Sequence, residues 1–221
     1  MDFSSFSPAL VIVTVVGLAM APFVAVMVTS FTKIVVVLSL LRNALGLQQV
    51  PPNVVINGLA IILSLYVMNP VTQATYASVT AKVQEAPQRT MDVNRMMELV
   101  ESGKEPLRDF LLKHSSEAER GFFLRSAQRL LPPDQQQTLT PNDYTVVVPA
   151  FTVSELTAAF RIGFLIFLPF LIIDLVVSNI LLAMGMMMLS PTTVSLPFKL
   201  LLFVFLDGWA KLVHGLVLTY G

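Results

Sequence analysis

Residues Leu156–Pro191 read LTAAFRIGFLIFLPFLIIDLVVSNILLAMGMMMLSP. This stretch is long enough to cross a bilayer, which takes about 20 apolar residues in a helix. Asp174 lies in the middle of the apolar run, and Pro169 is predicted to interrupt the helix five residues earlier. Methionines crowd the end of the run, within Met184–Met188. The stretch therefore predicts a membrane-type helix that is not a simple membrane anchor.

Asp174 is the costly residue of this run. A charge at the centre of a lipid-facing helix costs about 2.5–3.5 kcal/mol. Asp174 is therefore predicted to face other protein, with Ser178 one helical turn away on the same face. Two interpretations remain open for this carboxylate. It is either a buried group hydrogen-bonded to a neighbouring helix or a direct participant in proton or substrate handling.

The methionines predict a turn. Three in a row cannot share one face of a helix, where neighbours differ by about 100°. Gly185 and Pro191 mark a broken helix end around them. Methionine fills irregular or changing gaps because it is unbranched and polarizable. These residues are either ordinary filler near a membrane interface or, with several copies around one axis, a soft apolar seal.

Composition and charge divide the chain into three regions. Hydrophobic residues make up 55% of the 221 residues, which is typical of a membrane protein. The net charge is zero, so nothing favours nucleic acid as a partner. Of the 28 charged residues, 20 lie within residues 69–155. We predict an N-terminal hydrophobic helical hairpin region (1–68), a polar helical domain (69–150) and a C-terminal hydrophobic helical region (151–221).

The N-terminal region contains one full-length apolar segment and two short ones. Pro8–Val28 has ordinary spanning length, whereas Ile34–Leu41 and Val54–Met68 are short. Fifteen helical residues reach about 22 Å, less than a hydrocarbon core of about 30 Å. We therefore expect the short runs to be arms of helical hairpins packed against other protein. Ala19–Ala21 resembles a signal-cleavage site, but the start carries no positive charge, so we expect the segment to be retained.

The polar region predicts a small all-helical bundle with a solvated outer face. Apolar residues recur at helical spacing within residues 93–100, 107–114 and 123–131. Ser116 and Glu119 fit a capping box. Residues 132–142 are rich in proline and glutamine and are expected to be mobile. The mixed charges favour a solvated surface over a binding patch.

A charged stripe follows the last apolar block. Lys199, Asp207, Lys211 and His214 fall on one face if residues 194–221 form a single helix. Asp207 and Lys211 are one turn apart and are predicted to pair. We interpret the stripe, like Arg161 and Asp174, as buried charge that fixes packing within an assembly.

Catalytic chemistry has little support. The two histidines are isolated, there are no cysteines, and no phosphate-binding or serine-hydrolase motif occurs, so no cofactor, metal or catalytic residue is predicted. Asp174 and Asp207 suggest one enzymatic alternative, an intramembrane aspartyl protease. Such an enzyme needs two carboxylates that share a proton. Lys211 would keep Asp207 ionised and disfavours this function. A small-solute or ion transporter with Arg161 and Asp174 near a midplane site remains an alternative.

Four stretches resemble a known family. They are TSFTKIVVVLSLLRNALG (Thr29–Gly46), PAFTVSELTAAFRIGF (Pro149–Phe164), PFKLLLFVFLDGW (Pro197–Trp209) and MGMMMLSP (Met184–Pro191). Together they resemble the FliP/SctR family of the type III secretion export apparatus. GLQQVPPN (Gly46–Asn53) resembles the virulence injectisome branch more than the flagellar one.

The resemblance implies a non-enzymatic subunit of a protein-export gate in the bacterial inner membrane. In that family, helical hairpins assemble into a pentameric ring, completed by FliQ/SctS-like and FliR/SctT-like subunits beside a FlhB/SctU-like switch protein. The ring is raised towards the periplasm and passes unfolded secreted proteins. Carried onto this sequence, the family's pore-lining methionines are Met184, Met186, Met187 and Met188. The resemblance thus favours the seal over filler.

Overall fold

The structure is a computed structural model that describes residues 8–47, 49–85, 93–132 and 139–221. Every regular element within these ranges is an α-helix, which confirms the predicted all-α class. The helices are α1 (Pro8–Val28), α2 (Phe31–Ala44), α3 (Asn53–Gln84), α4 (Val93–His114), α5 (Glu117–Leu130), α6 (Tyr144–Ala183), α7 (Pro191–Phe205) and α8 (Gly208–Leu218).

Among the described residues, three helices, α1, α3 and α6, are long and apolar enough to cross a membrane. The pair α7 and α8 makes a fourth candidate, broken by a bend of 61°. Helices suit this environment because they satisfy their backbone hydrogen bonds internally. The bounds of α1 agree with the apolar segment predicted over Pro8–Val28.

The third apolar run is part of a much longer helix than the sequence predicted. α3 continues from Asn53 through Pro70 to Gln84, which is 32 residues or about 48 Å. The expectation of a span too short for the bilayer was therefore wrong. That prediction ended the helix where the apolar residues end, but polar residues continue the hydrogen-bond ladder. The Thr72 side chain adds a bond beside this ladder, since its Oγ1 donates to the Asn69 carbonyl at 2.8 Å.

The predicted interruption at Pro169 was also wrong. α6 is one helix of 40 residues, about 60 Å long, and it includes both Pro149 and Pro169. A proline removes one N–H and crowds one carbonyl, but long apolar helices tolerate it when the surrounding turns hold their bonds. Asp174 therefore lies in the same continuous helix as Arg161.

One compact unit combines residues 1–30 with residues 68–155. Its buried side chains include Leu111, Val147 and Phe151. The Phe110 ring lies 5.7 Å from the Phe151 ring, centroid to centroid. Arg95 is buried and donates to the Lys82 carbonyl at 2.6 Å. This unit contains the helices predicted for the polar region, together with α1.

The start of α5 confirms half of the predicted capping box. Ser116 Oγ accepts from the Glu119 amide at 3.3 Å, as expected. The Ser116 amide does not follow the prediction, because it donates to Ser154 Oγ at 2.9 Å. A tertiary partner thus takes the place of the glutamate side chain. Most of the predicted mobile segment, residues 133–138, lies outside the described residues.

The second unit combines residues 31–67 with residues 156–221. α2 has 14 residues, about 21 Å, and buries one face, as expected of a helix packed on protein. Its core is shared by α2, α3, α6 and α8: Ile34, Val37, Leu38, Ile56, Ala60, Leu63, Ala159 and Leu216. Each unit therefore draws on two separate stretches of the chain. The division into three consecutive regions stays a prediction.

A sharp elbow separates α7 from α8. Asp207 adopts a left-handed conformation, φ +51°, and the two helices meet at 61°. The predicted single helical face with Lys199, Asp207, Lys211 and His214 was therefore wrong, because Lys199 belongs to the helix before the elbow. No side-chain ion pair joins Asp207 to Lys211 in the described ranges; only the Lys211 amide reaches the Asp207 carbonyl, at 3.1 Å.

Candidate functional site

The methionine loop, residues 184–190, begins with a glycine-dependent helix end. The Met186 amide donates to the Leu181 carbonyl at 2.9 Å, and the Gly185 amide donates to the Leu182 carbonyl at 3.0 Å. Gly185 has φ +73°, a conformation that costs glycine little and other residues more. The predicted turn is therefore confirmed, and its hydrogen bonds define where α6 ends.

Proline and serine close the other end of the loop. Pro191 occupies the first turn of α7, where a missing N–H does no harm. Ser190 precedes it, and its carbonyl accepts from the amides of Thr193 and Val194 at 3.2 and 3.3 Å. Backbone hydrogen bonds thus define both ends of the methionine loop.

All four predicted methionines are exposed in the single chain. Met187 is 79% exposed and Met188 is completely exposed, and Met184 and Met186 are also exposed. Apolar side chains gathered at a turn are typical of surfaces that contact further protein or lipid. Thioether side chains can repack against many shapes. The arrangement therefore suits contact with further protein or with lipid.

A polar cluster joins the two helices that carry the methionine loop. Lys199 Nζ of α7 lies 2.6 Å from Asp174 Oδ2 of α6. Ser195 Oγ donates to Asp174 Oδ1 at 2.5 Å, and Lys199 Nζ also donates to the Ala44 carbonyl at 3.2 Å. We call Asp174, Ser195, Lys199 and the Ala44 carbonyl the polar cluster.

Because Lys199 is buried, its ion pair with Asp174 matters for stability. Lys199 is only 4% exposed, and a quarter of the Asp174 side chain is exposed. An unpaired buried charge is costly, whereas a paired and hydrogen-bonded one is tolerated. The predicted protein partner of Asp174 is therefore found within the same chain. Of the two interpretations left open for Asp174, the geometry favours the hydrogen-bonded structural carboxylate.

The other predicted charges lie apart from this cluster. Arg161 precedes Asp174 by 13 residues in one helix, about 20 Å along the axis. Asp207 lies in the elbow, and Lys211 lies beside an apolar groove of about 480 Å³. All three are exposed in the single chain. Their role in packing between subunits stays a prediction.

Two members of the cluster escaped sequence reasoning. Ser195 lies one turn before Lys199, and that spacing is the only signal that could have found it. The Ala44 carbonyl gives no side-chain signal at all. It is free to accept because it lies in the last turn of α2, where carbonyls lack helical partners.

These features define a class of protein: an all-helical membrane protein whose ion-paired helices present an exposed methionine loop. The FliP family model matches residues 12–216, and the chain belongs to the FliP family.

Curated relatives are similar over nearly their whole length. The chain is 52% identical to the hypersensitivity response secretion protein HrcR of Ralstonia nicotianae, covering 96% of this chain and 97% of the relative. It is 54% identical to the Yop proteins translocation protein R of Yersinia pestis and 48% identical to the virulence protein YscR of Salmonella typhimurium, with 92% of each chain covered in both cases. These relatives are named for secretion, translocation and virulence, in agreement with the virulence branch that the sequence indicated.

Proposed function

We propose that this chain is a core subunit of the type III protein secretion export gate. With sister and companion subunits it forms a gated conduit for unfolded polypeptides. The observation that carries the proposal is the methionine loop, with four exposed thioether side chains on a turn bounded by defined hydrogen bonds. Membership of the FliP family and similarity to secretion proteins support it.

The loop suits a gate because its chemistry is non-directional. Copies of Met186, Met187 and Met188 around a common axis form a soft apolar plug that limits ion and water leakage. The same side chains repack around a passing polypeptide, since dispersion contacts need no fixed geometry. A plug of this kind accepts many substrate sequences.

The proposal includes no enzymatic activity. A protease with two aspartates would need carboxylates that share a proton. Asp174 instead pairs with Lys199 and accepts from Ser195. A midplane solute site built from Arg161 and Asp174 is disfavoured as well, because the two lie about 20 Å apart along α6.

Family membership and the exposed apolar surface support a proposal about partners. Exposed side chains along α6, such as Phe164, Leu165 and Ile172, need lipid or protein to cover them. We propose a pentameric ring of this chain with FliQ/SctS-like, FliR/SctT-like and FlhB/SctU-like subunits. The assembly belongs to the bacterial inner membrane, with its core raised towards the periplasm.

Native mass spectrometry of the gently extracted, tagged protein tests this function. The chain is expressed with its companion subunits and extracted in a mild detergent. We expect a species that contains several copies of the chain together with its companions. A chain that stays monomeric and alone under these conditions, yet supports secretion, would contradict the proposal.

A further inference from the structure

Lys199 does more than neutralise Asp174. We propose that it is a positioning residue that fixes the methionine loop relative to the carboxyl end of α2. The significance of this proposal rests on the gate function above, but its geometry does not. Lys199 lies in α7 and contacts two other segments: Asp174 in α6 and the Ala44 carbonyl at the end of α2.

The first part of the argument is the closure of the loop. Asp174 lies nine residues before the end of α6, and Lys199 lies eight residues after the start of α7. These positions are about 14 and 12 Å from the respective helix ends. The ion pair therefore joins the two helices at nearly matched distances from the methionine loop, and the second bond from Ser195 strengthens the joint.

The second part is the end of α2. Gly46 has φ +77°, its amide donates to the Asn43 carbonyl, and the Leu47 amide donates to the Arg42 carbonyl. These bonds use the carbonyls before Ala44, and the Ala44 carbonyl receives the Lys199 ammonium. A cation at this end of a helix is also favoured by the helix dipole.

Besides the bond from Lys199 to Ala44, two further contacts hold the end of α2 close to its neighbours. A β-carbon at Gly46 would lie 3.7 Å from Leu196 Cδ1, so α7 passes close to the end of α2. Arg42 Nη1 donates to Asn53 Oδ1 at 2.6 Å and holds the same end of α2 to the start of α3. The methionine loop is thus tied through Lys199 to the α2–α3 junction.

A purely electrostatic role and a positioning role make different predictions. If Lys199 only neutralises Asp174, replacing both by apolar residues should leave the loop in place, because such replacements of buried pairs are often tolerated. If Lys199 positions the loop, the same double variant should fold but lose the tie to Ala44. Asp174→Leu/Lys199→Met is therefore the decisive variant.

The distance between two spin labels reports the position of the methionine loop relative to the end of α2. The chain has no cysteine, so Asn43→Cys and Leu189→Cys give two unique sites, one at the end of α2 and one in the loop, and all four loop methionines are kept. Labelled chains are diluted with unlabelled chains in the assembled complex. Double electron–electron resonance then reports the distance within one chain.

We expect one narrow distance with Lys199 present and also with Lys199→Arg, which keeps the cation. We expect loss of that single distance in Asp174→Leu/Lys199→Met. Lys113→Met, at an exposed lysine of α4, is the matched control and should keep it. A narrow, unshifted distance in the double variant would overturn the proposal.

Assembly failure does not hide the answer. If the double variant does not assemble, the same labels are measured in the extracted full-length chain, with the same two outcomes. The distance also separates this proposal from the gate itself. If the loop methionine substitutions cause a leak but the distance in the double variant is unchanged, positioning is refuted and the gate is not. If the distance changes but the methionine substitutions cause no leak, the gate is refuted and positioning is not.

Discussion

Gly163 allows α2 to approach α6 closely, and adding a single methyl group there tests this packing. A β-carbon at Gly163 would lie 2.3 Å from Leu40 Cδ1, 3.1 Å from Leu40 Cβ and 3.2 Å from Leu40 Cγ. Rotation of the leucine relieves the first contact but not the second, because Cβ moves only with the α2 backbone. Gly163→Ala should therefore push the helices apart.

The magnitude follows from two opposing terms. Alanine is favoured over glycine inside a helix by about 1 kcal/mol. Overpacking of a well-packed site costs about 1–3 kcal/mol. Gly58→Ala in α3 is the matched control, because no atom lies within 4 Å of its added methyl group. The free energy of unfolding of Gly163→Ala should thus be lower than that of Gly58→Ala by about 1–3 kcal/mol.

Unfolding in detergent, followed by the fluorescence of the single tryptophan, measures this difference. The same comparison in a Leu40→Ala background should give a smaller difference, because Cγ and Cδ1 are gone. Equal stabilities of Gly163→Ala and Gly58→Ala would refute the close approach of α2 and α6.

Three further changes test other parts of the fold. Lys199→Met should cost about 3 kcal/mol of unfolding free energy, while Asp174→Leu/Lys199→Met should recover most of it; additive losses would contradict the ion pair. Gly208→Ala places a β-carbon 2.2 Å from the Phe203 ring and should lower thermal stability by straining the elbow, and an unchanged melting temperature would count against that geometry. Ser116→Ala should destabilise the start of α5 by about 1 kcal/mol, seen as faster amide exchange in its first turn; unchanged exchange would argue against the cap.

The sequence predicted the methionine loop well because its signals are local. Gly185 supplies the positive φ and Pro191 supplies the helix start, and both act within a few residues. The resemblance then favoured a seal over filler, a choice that composition left open. Local backbone chemistry therefore sufficed for the turn, although the role of its side chains stays a proposal.

The ion pair was only half predictable. The cost of a carboxylate in an apolar helix showed that Asp174 needs a partner. The identity of that partner depends on how α6 and α7 fold together, 25 residues apart, and Lys199 was assigned instead to a stripe with Asp207 and Lys211. The stripe was wrong because one backbone conformation, the left-handed Asp207, ends the helix between them.

Helix lengths were underestimated for a related reason. Apolarity marks the part of a helix that suits lipid, but the backbone ladder continues wherever side chains permit it. α3 therefore passes Pro70, and α6 passes Pro169, where the sequence suggested an end or a break. Periodicity and hydropathy describe surfaces better than they describe where a helix stops.

Ion leakage through the assembled complex tests most directly whether the methionines seal the conduit. Met186, Met187 and Met188 are replaced together by alanine, with Met97→Ala, at an exposed methionine of α4, as the control. Complexes of verified composition are reconstituted and their ion conductance is measured without substrate. The account predicts raised conductance for the triple variant alone, because three long thioether side chains per copy are lost. Conductance equal to that of the parent complex, in fully assembled particles, would contradict it.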